Sequence, residues 1–256
     1  MKKLMLRWVV LVLFVSALGV TFVRLGEWQL HRLDQRRERN ASAAANQSRP
    51  VADFSQVFTD TIDEDDQWQR VRITGTYLPE HQLEVRYRNV GGQAGSEWVV
   101  PMRATNGAVV LVDRGFTTRD EGTVVEAMAP PTGVVTVEGF VRRNERGKAN
   151  AIVPVQGSVR LINAPAIAEV IGVPLADGYI QQISSDPPTT DLTPVGLPDT
   201  DEGPHLSYAV QWFLFTAVAV IGAVLLVRAD LRERRLRRER AEAARRELAE
   251  RGAAAP

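Results

Sequence analysis

PHLSYAVQWF, residues 204–213, opens an uncharged run that extends from Leu206 to Val227. The run is long enough to cross a bilayer as a helix, which takes about 20 predominantly apolar residues. A shorter apolar run lies between Arg7 and Arg24, whose charges can reach the two membrane surfaces. The two runs predict two transmembrane helices, one near each end of the chain.

A cleaved secretory signal is the alternative interpretation of the first run, because such signals also combine a basic start with a short apolar core. The sequence Gly26-Glu27-Trp28 is a poor cleavage site, however, and a helical pattern continues beyond it to Leu33. We therefore expect the first run to remain in the protein as a membrane anchor.

Charge is segregated along the chain, although the formal net charge of the 256 residues is zero. Residues 24–205 contain 18 basic and 25 acidic side chains, whereas residues 228–256 contain 10 arginines and 6 acids. No lysine or arginine lies between Leu161 and His205, so the positive-inside rule places the arginine-rich tail in the cytoplasm. With two spans of the cell membrane, both termini are expected to be cytoplasmic and the main domain extracytoplasmic.

The segment between the spans contains short β-like runs separated by turn residues, of which Asn106-Gly107 is a good hairpin signal. The runs predict strands at Arg70–Tyr77, Gln82–Asn89, Glu97–Arg103, Ala108–Phe116, Val134–Val141 and Tyr179–Ile183, and a short helix at Ala164–Ile171. Strands with hairpin-length links favour one small antiparallel sheet, rolled toward a barrel. The predicted class is an α+β membrane protein in which two transmembrane helices bracket a β-rich domain.

This pattern divides the chain into seven segments. They are a cytoplasmic N-terminus (1–7), a first transmembrane helix (8–24), a helix extension and linker (25–66), the β-rich extracytoplasmic domain (67–184), a connector (185–204), a second transmembrane helix (205–227) and a basic cytoplasmic tail (228–256). The linker is assigned from residue 41 onward, because Ala41–Ser48 is low in bulk. The tail has the Glu/Arg composition of a charged helix.

Composition removes several classes of function. Cysteine is absent, which excludes disulfides, thiolate metal sites and c-type haem attachment. The sequence contains no phosphate-binding glycine loop, calcium loop, hydrolase constellation or nucleic-acid module, so we expect neither an enzyme nor a nucleic-acid-binding protein. Cofactor chemistry is left to the three histidines, His31, His81 and His205.

His205 is the strongest candidate, because a polar ring at the mouth of a transmembrane helix usually marks a site. Pro204 suits the first turn of a helix, so His205 lies near a helix N-terminus, which favours a neutral imidazole that can ligate a metal. Tyr208 and Trp212 follow on the same helix face, along which a flat aromatic ligand can lie. The alternative is an interfacial belt of His, Tyr and Trp at the lipid headgroups.

The first helix offers a counterpart in Trp28 and Arg32, which are four residues apart just outside the membrane. A pocket between the helices can hold a planar molecule whose acid groups pair with Arg32, Arg36 or Arg37. The alternative is that Trp28 is a belt residue and that the arginines, like His31, are solvated.

Two places in the β-rich segment also stand out. Gly75 lies inside a strand, just before Tyr77, where glycine indicates a bulge or a close backbone approach. Arg114 and Gly115 lie at a strand end, where they bind a partner or cap the sheet. A structural role is favoured for both places.

Four stretches carry a resemblance to a known family, and they occur in the family's order. They are LGEWQLHR (25–32), VRITGTY (71–77), the group GSEWVVP (95–101), VLVDRGF (110–116) and VEGFVR (137–142), and HLSYAVQWF (205–213). With the two-span layout, they make residues 5 to about 230 resemble the Surfeit locus protein family of Shy type. That family comprises membrane assembly factors for haem-copper cytochrome c oxidase.

The resemblance implies a non-enzymatic role in inserting haem a into the catalytic subunit of cytochrome c oxidase, or in stabilising an early intermediate of that subunit. It implies that His205 ligates the haem iron, next to Tyr208 and Trp212, and that Trp28 and Arg32 belong to the same site. The haem a synthesis machinery is a further expected partner. The family's domain motifs include Gly75, Tyr77, Arg114 and Gly115.

Two other functions are consistent with the same residues. One is a cofactor-free membrane scaffold that binds oxidase subunits through the outer domain and the helix faces. The other is an unrelated binding protein of the cell envelope.

Overall fold

The computed structural model describes residues 2–118, 129–189, 191–197 and 200–253, with side chains from residue 6 to residue 246. The chain forms two compact units, a helical unit (Met1–Glu38 and Asp201–Pro256) and a β-rich unit (Arg39–Thr200). Its elements are α1 (Lys2–Gln47), β1 (Ala52–Asp53), α2 (Phe54–Val57), β2 (Arg70–Tyr77), β3 (Leu83–Val90), β4 (Gln93–Ala104), β5 (Val109–Thr118), β6 (Val135–Arg142), α3 (Ala149–Ile152), β7 (Ser158–Val159), α4 (Ala164–Ile171), β8 (Tyr179–Asp186) and α5 (His205–Ala253).

The helices α1 and α5 are each long and apolar enough to cross a membrane. Their apolar side chains are largely exposed, for example Phe14 of α1 and Leu225 of α5, which are 61% and 58% exposed. Apolar surface of this extent is unfavourable in water and favourable in lipid. The helices therefore indicate membrane localisation, in agreement with the two apolar runs of the sequence.

Within the helical unit, α1 and α5 pack antiparallel along one seam. Near one end, the Trp8 indole Nε1 donates to Asp230 Oδ2 at 3.1 Å. Farther along the seam, Phe22 stacks on Trp212 with their ring centroids 5.6 Å apart. A Cβ atom at Gly26 would lie only 2.8 Å from the Phe213 ring, so the absence of a side chain lets the helices approach closely.

The helix α1 continues to Gln47, past residue 41, where we placed the start of the linker. The run Ala43-Ala44-Ala45 is low in bulk, but alanine has the highest helix propensity and extends the helix. Within the β-rich unit, Asn46 is buried, and its side-chain amide donates to the carbonyl oxygens of Asp65 and Gln67. This contact orders part of the segment that the sequence predicts as a linker.

The strands β2, β6, β8, β5 and β4 form a closed ring, because β2 pairs both with β6 and with β4. The prediction of a barrel is confirmed, and β2 and α4 have the predicted bounds. The sheet is not wholly antiparallel, in contrast to our prediction: β5 and β8 of the ring are parallel, and so are the short pairs β1–β2 and β3–β7. The chain reaches β8 through a long crossover that contains α4, and such a connection permits parallel pairing.

The central strands β4 and β5 are buried on both faces. Val100 and Val112 belong to the core that the ring strands share, whereas Val99 and Leu111 point to the opposite face and pack with Ile167 of α4. A strand covered on both faces reads as a continuous apolar run rather than an alternating one. The hairpin between these strands turns at Asn106-Gly107, as predicted.

Gly75 lies where the ring closes. It is paired with Ala104 of β4 and with Val135 of β6, so backbone from two strands surrounds it. A Cβ atom at this position would lie 2.1 Å from the carbonyl oxygen of Arg103. The glycine is therefore required by a close approach of backbone, which is one of the two roles that its position inside a strand indicates.

We predict that Gly75→Ala destabilises the β-rich unit, because the methyl group forces β2 and β4 apart. Overpacking of this kind costs about 1–3 kcal/mol, which lowers the melting temperature by roughly 3–10 °C. Thermal unfolding of the detergent-solubilised protein, followed by circular dichroism, measures the effect. Gly196→Ala is the control, since a Cβ atom there meets no atom within 4 Å. Equal melting temperatures for the two variants would contradict the proposed role of Gly75 in closure.

Candidate functional site

His205 is the first residue of α5, and its ring contacts α1. Its Nδ1 atom lies 2.8 Å from the side-chain oxygen Oε1 of Gln29. An amide oxygen only accepts hydrogen bonds, so Nδ1 carries the proton in this contact and the neutral ring has its lone pair on Nε2. Gln29 therefore selects the tautomer in which Nε2 can bind a metal.

The Nε2 edge of the His205 ring is adjacent to Gly203, which has a positive φ of 69°. A Cβ atom at Gly203 would lie 3.7 Å from Nε2 and 3.6 Å from Cδ2. Because residue 203 is glycine, it places no side chain against this edge of the ring. The histidine is half-buried, with Nδ1 engaged by Gln29 and the Nε2 edge of the ring next to Gly203.

The other predicted site residues differ in how exposed they are. Tyr208 is 46% exposed on α5, and Trp28 is 52% exposed on α1, where Arg32 stacks over its ring at 5.6 Å. Trp212 is not on an open face, because its ring packs against Phe22 in the helix seam. The structure thus joins Trp28 with Arg32 and places His205 against Gln29, while Trp212 serves the helix packing.

Two arginines that we considered for acid recognition are engaged elsewhere. Arg37 forms a two-pronged ion pair with Glu202, at 2.9 and 2.8 Å, and Arg36 donates to the carbonyl oxygen of Asp201 at 2.9 Å. These contacts hold the segment just before α5 against α1. Arg32 donates only to Gln35 at 3.2 Å among its described hydrogen bonds, so it is the arginine of this group that can turn to a ligand.

Tyr77 and Arg114 meet inside the β-rich unit. The Arg114 guanidinium carbon lies 5.9 Å from the centroid of the Tyr77 ring, and the Tyr77 hydroxyl donates to Gln182 Oε1 at 3.0 Å. Burial raises the pKa of Tyr77 and lowers the pKa of Arg114. Arg114 also donates to Gln82, so this pair belongs to a polar network of the barrel.

Gly115 follows Arg114 and is required by the backbone. Its φ is 132°, a conformation that side chains rarely adopt, and a Cβ atom would lie 2.7 Å from the carbonyl oxygen of Thr193. Its N–H donates to Asp113 Oδ1 at 3.2 Å. The role of Gly115 is thus to let the chain that precedes α5 pair closely with β5.

Comparison with known proteins places these features in one family. The SURF1 family model matches residues 16–217, which include both the Gln29–His205 contact and the whole barrel. An uncharacterised SURF1-like protein of Mycobacterium tuberculosis is 33% identical over 235 residues, which is 89% of this chain and 86% of the relative. The chain belongs to the SURF1 family.

More distant SURF1-like proteins share most of the chain. One from Monosiga brevicollis is 29% identical and covers 82% of this chain and 84% of its own length. One from Rickettsia bellii is 26% identical and covers 79% and 84%, respectively. The resemblance to the Surfeit locus family, drawn from four short motifs, is confirmed.

The SURF1 barrel of this protein also contains a buried ionic cluster that sequence reasoning missed. Arg88 lies 2.8 Å from both Glu97 and Glu145, and Asp113 is 2% exposed close by. The guanidinium of Arg142 covers the Trp68 ring at 3.9 Å. One feature of the sequence could have indicated this cluster: Glu97 and Asp113 lie within the otherwise apolar runs of β4 and β5.

Two carboxyl groups of this cluster, those of Asp113 and Glu97, resist ionisation. Burial raises the pKa of Asp113 well above its usual range, and the neighbouring Glu97 adds to the rise. Burial likewise raises the pKa of Glu97. Between the unfolded pKa of about 4 and the raised folded pKa, the folded protein binds more protons than the unfolded chain, so its stability falls as the pH rises.

We predict that Asp113→Asn weakens this pH dependence. Asparagine has the same shape and still accepts from the Gly115 N–H, but it carries no charge to desolvate. The variant should melt several degrees above the wild type near about pH 8 and at the same temperature near about pH 4. Melting curves across this range provide the measurement.

Glu169→Gln, on the exposed side of α4, is the matched control and should leave the pH profile unchanged. An Asp113→Asn protein that is less stable at every pH would contradict the prediction. It would show that an ionised Asp113 is needed to balance Arg88 and Arg142.

Proposed function

We propose that this protein is an assembly factor for haem-copper cytochrome c oxidase, and that it holds haem a through His205 before transfer to the catalytic subunit. Family membership supports the broad role, because SURF1 proteins are known generally as cytochrome oxidase assembly factors. The geometry of His205 supports the haem. In this proposal haem a is a cargo, and the protein is not an enzyme.

The Gln29–His205 hydrogen bond is the observation that carries the haem proposal. Histidines that bind metals commonly donate their second ring N–H to an acceptor, which fixes the tautomer and the ring orientation. Gln29 is such an acceptor, and Gly203 places no side chain against the Nε2 edge of the ring. A histidine that served only as an interfacial belt residue would need neither feature.

Other predicted site residues on α1 and α5 fit a large, partly apolar and acidic molecule. Tyr208 and Trp28 present exposed aromatic surface, and Arg32 beside Trp28 supplies a cation for a propionate group. Bound haem a would supply an iron that accepts the Nε2 lone pair. The protein's part is to orient the imidazole, cover the macrocycle and neutralise its acid groups.

We propose the orientation that the basic tail favours, with both termini in the cytoplasm and the barrel outside the cell membrane. His205 would then lie at the outer membrane surface, at the start of α5. A haem held at this depth is close to the bilayer, through which an apolar macrocycle can reach a partner. The catalytic subunit of the oxidase is the proposed recipient, and the haem a synthesis machinery is the proposed donor.

A cofactor-free scaffold is the second candidate. One observation favours it: Trp212 is packed against Phe22, so the aromatic face from His205 to Trp212 is only partly open to a ligand. A scaffold would bind an oxidase subunit through the exposed apolar faces of α1 and α5. It would retain no haem after purification.

We predict that His205→Ala abolishes haem a binding while the fold is kept. The loss should exceed the roughly 10- to 100-fold that follows from removal of an outer-shell partner, because the ligand itself is removed. The measurement is the absorption spectrum of the purified protein after co-expression with haem a synthesis. His31→Ala is the control, since His31 is an exposed histidine on α1.

Unchanged haem binding in His205→Ala would contradict the ligand assignment. A colourless wild-type protein that still captures the oxidase subunit would favour the scaffold. Normal oxidase haem content in a strain that lacks the protein would contradict both, and would favour an unrelated envelope function.

We predict separate effects for two substitutions of Gln29. Gln29→Leu removes the acceptor from Nδ1, so haem affinity should fall about 10- to 100-fold. Gln29→Glu keeps a hydrogen-bond acceptor for Nδ1, and its negative charge makes the imidazole donate more electron density to the iron. Haem should therefore remain bound, with a lower reduction potential. Haem titration and spectroelectrochemistry measure the two quantities. An equal loss of haem in both variants, with no shift of potential, would contradict the role of Gln29 in tautomer selection.

A further inference from the structure

An arginine face begins where the apolar part of α5 ends. Arg228 follows the last apolar residue of the span, and Arg232, Arg235 and Arg238 follow it at intervals of four and three residues. This spacing places all four on one side of a helix. They line a surface groove of about 470 Å³ together with Leu231 and Arg234.

Two of the nearby acidic residues, Asp230 and Glu233, pair with arginines that are not among these four. Asp230 accepts from Arg234 at 3.1 Å and from Trp8, and Glu233 pairs with Arg237. Among the described side chains (residues 6–118, 129–189, 191–197 and 200–246), no carboxylate forms an ion pair with the four arginines of the face. Carboxylates thus offset the charge of Arg234 and Arg237, whereas no described ion pair offsets the charge of the four arginines of the face.

The direction of α5 brings this charge to the membrane surface. Side chains of an α-helix lean toward its N-terminus, which in α5 is the end that holds the apolar span. Arg235 lies about 10 Å beyond Arg228 along the axis, since each residue rises by 1.5 Å. Its long side chain leans back toward the headgroup layer, which is about 5–8 Å thick on each side of the bilayer.

The chemistry of the groove fits one class of ligand. A guanidinium group binds phosphate oxygens through two parallel hydrogen bonds, and basic groups next to a span attract anionic lipids. Leu231 is 49% exposed among the arginines and offers apolar contact beside the charge. A ligand that joins a phosphate to apolar chains matches both kinds of surface.

We propose that Arg228, Arg232, Arg235 and Arg238 form a binding site for the headgroup of an anionic phospholipid. This site lies on the tail side of α5, and it does not depend on the proposed haem function. It differs from general attraction to a charged surface because it requires these arginines rather than the total charge of the tail.

Titration with short-chain lipids tests the proposal. The full-length protein in neutral detergent is titrated with dioctanoyl phosphatidylglycerol or dioctanoyl phosphatidylcholine, and bound lipid is counted by native mass spectrometry. The wild type should bind the anionic lipid more tightly. The variant Arg228→Gln/Arg232→Gln/Arg235→Gln should bind it roughly a hundredfold more weakly, since each arginine near such a surface contributes about a fivefold factor.

The control variant is Arg240→Gln/Arg245→Gln/Arg246→Gln, which removes the same charge from exposed positions farther along α5. It should bind the anionic lipid as the wild type does. Equal weakening in both variants would overturn the proposal and leave only general electrostatic attraction. The absence of any preference for the anionic lipid would also overturn it, as would inorganic phosphate that binds as tightly as the lipid.

Discussion

The close approach of α1 and α5 at Gly26 governs the geometry of the helical unit. The Phe213 ring occupies the space that any side chain at this position would need. Gln29 lies one turn away on α1, so the spacing of the helices at Gly26 sets whether its amide reaches His205. The hydrophobic effect does not hold two helices together inside a membrane, because the lipid is as apolar as their side chains. Close van der Waals packing stabilises the pair instead. The stacked rings of Phe22 and Trp212 continue the same contact.

The β-rich unit depends on a similar close approach of backbone. Gly75 lets β2 contact both of its neighbours, and Gly115 lets β5 contact the chain that precedes α5. Once closed, the barrel has β4 and β5 buried on both faces, and the two strands carry the buried side chains of Glu97 and Asp113. Burial of these charged groups is tolerated for two reasons. Arg88 pairs with Glu97 and Glu145, and the raised pKa of Asp113 favours its neutral, protonated form.

The candidate site was only partly predictable from sequence. His205 and Tyr208 are marked by their position at the mouth of an apolar helix, and Trp28 and Arg32 by their spacing on α1. Gln29 lies 176 residues from His205, and no local pattern relates a glutamine on one helix to a histidine on another. Trp212 shares a helix face with His205, but its ring packs against Phe22. Helical periodicity predicts which residues share a face, and it does not predict which other helix covers that face. Arg36 and Arg37 are likewise engaged by Asp201 and Glu202, which lie just before α5 in the chain.

The sequence by itself determined the two long apolar helices, the position of most strands and the hairpin at Asn106-Gly107. These features follow from local apolar periodicity and from turn chemistry, which act over a few residues. Only the tertiary structure decided which nitrogen of His205 is protonated, which strands close the ring, and which charges are buried together. Those outcomes depend on contacts between residues far apart in the chain. The sequence around an acidic residue such as Asp113 does not show whether water or protein will surround its carboxyl group.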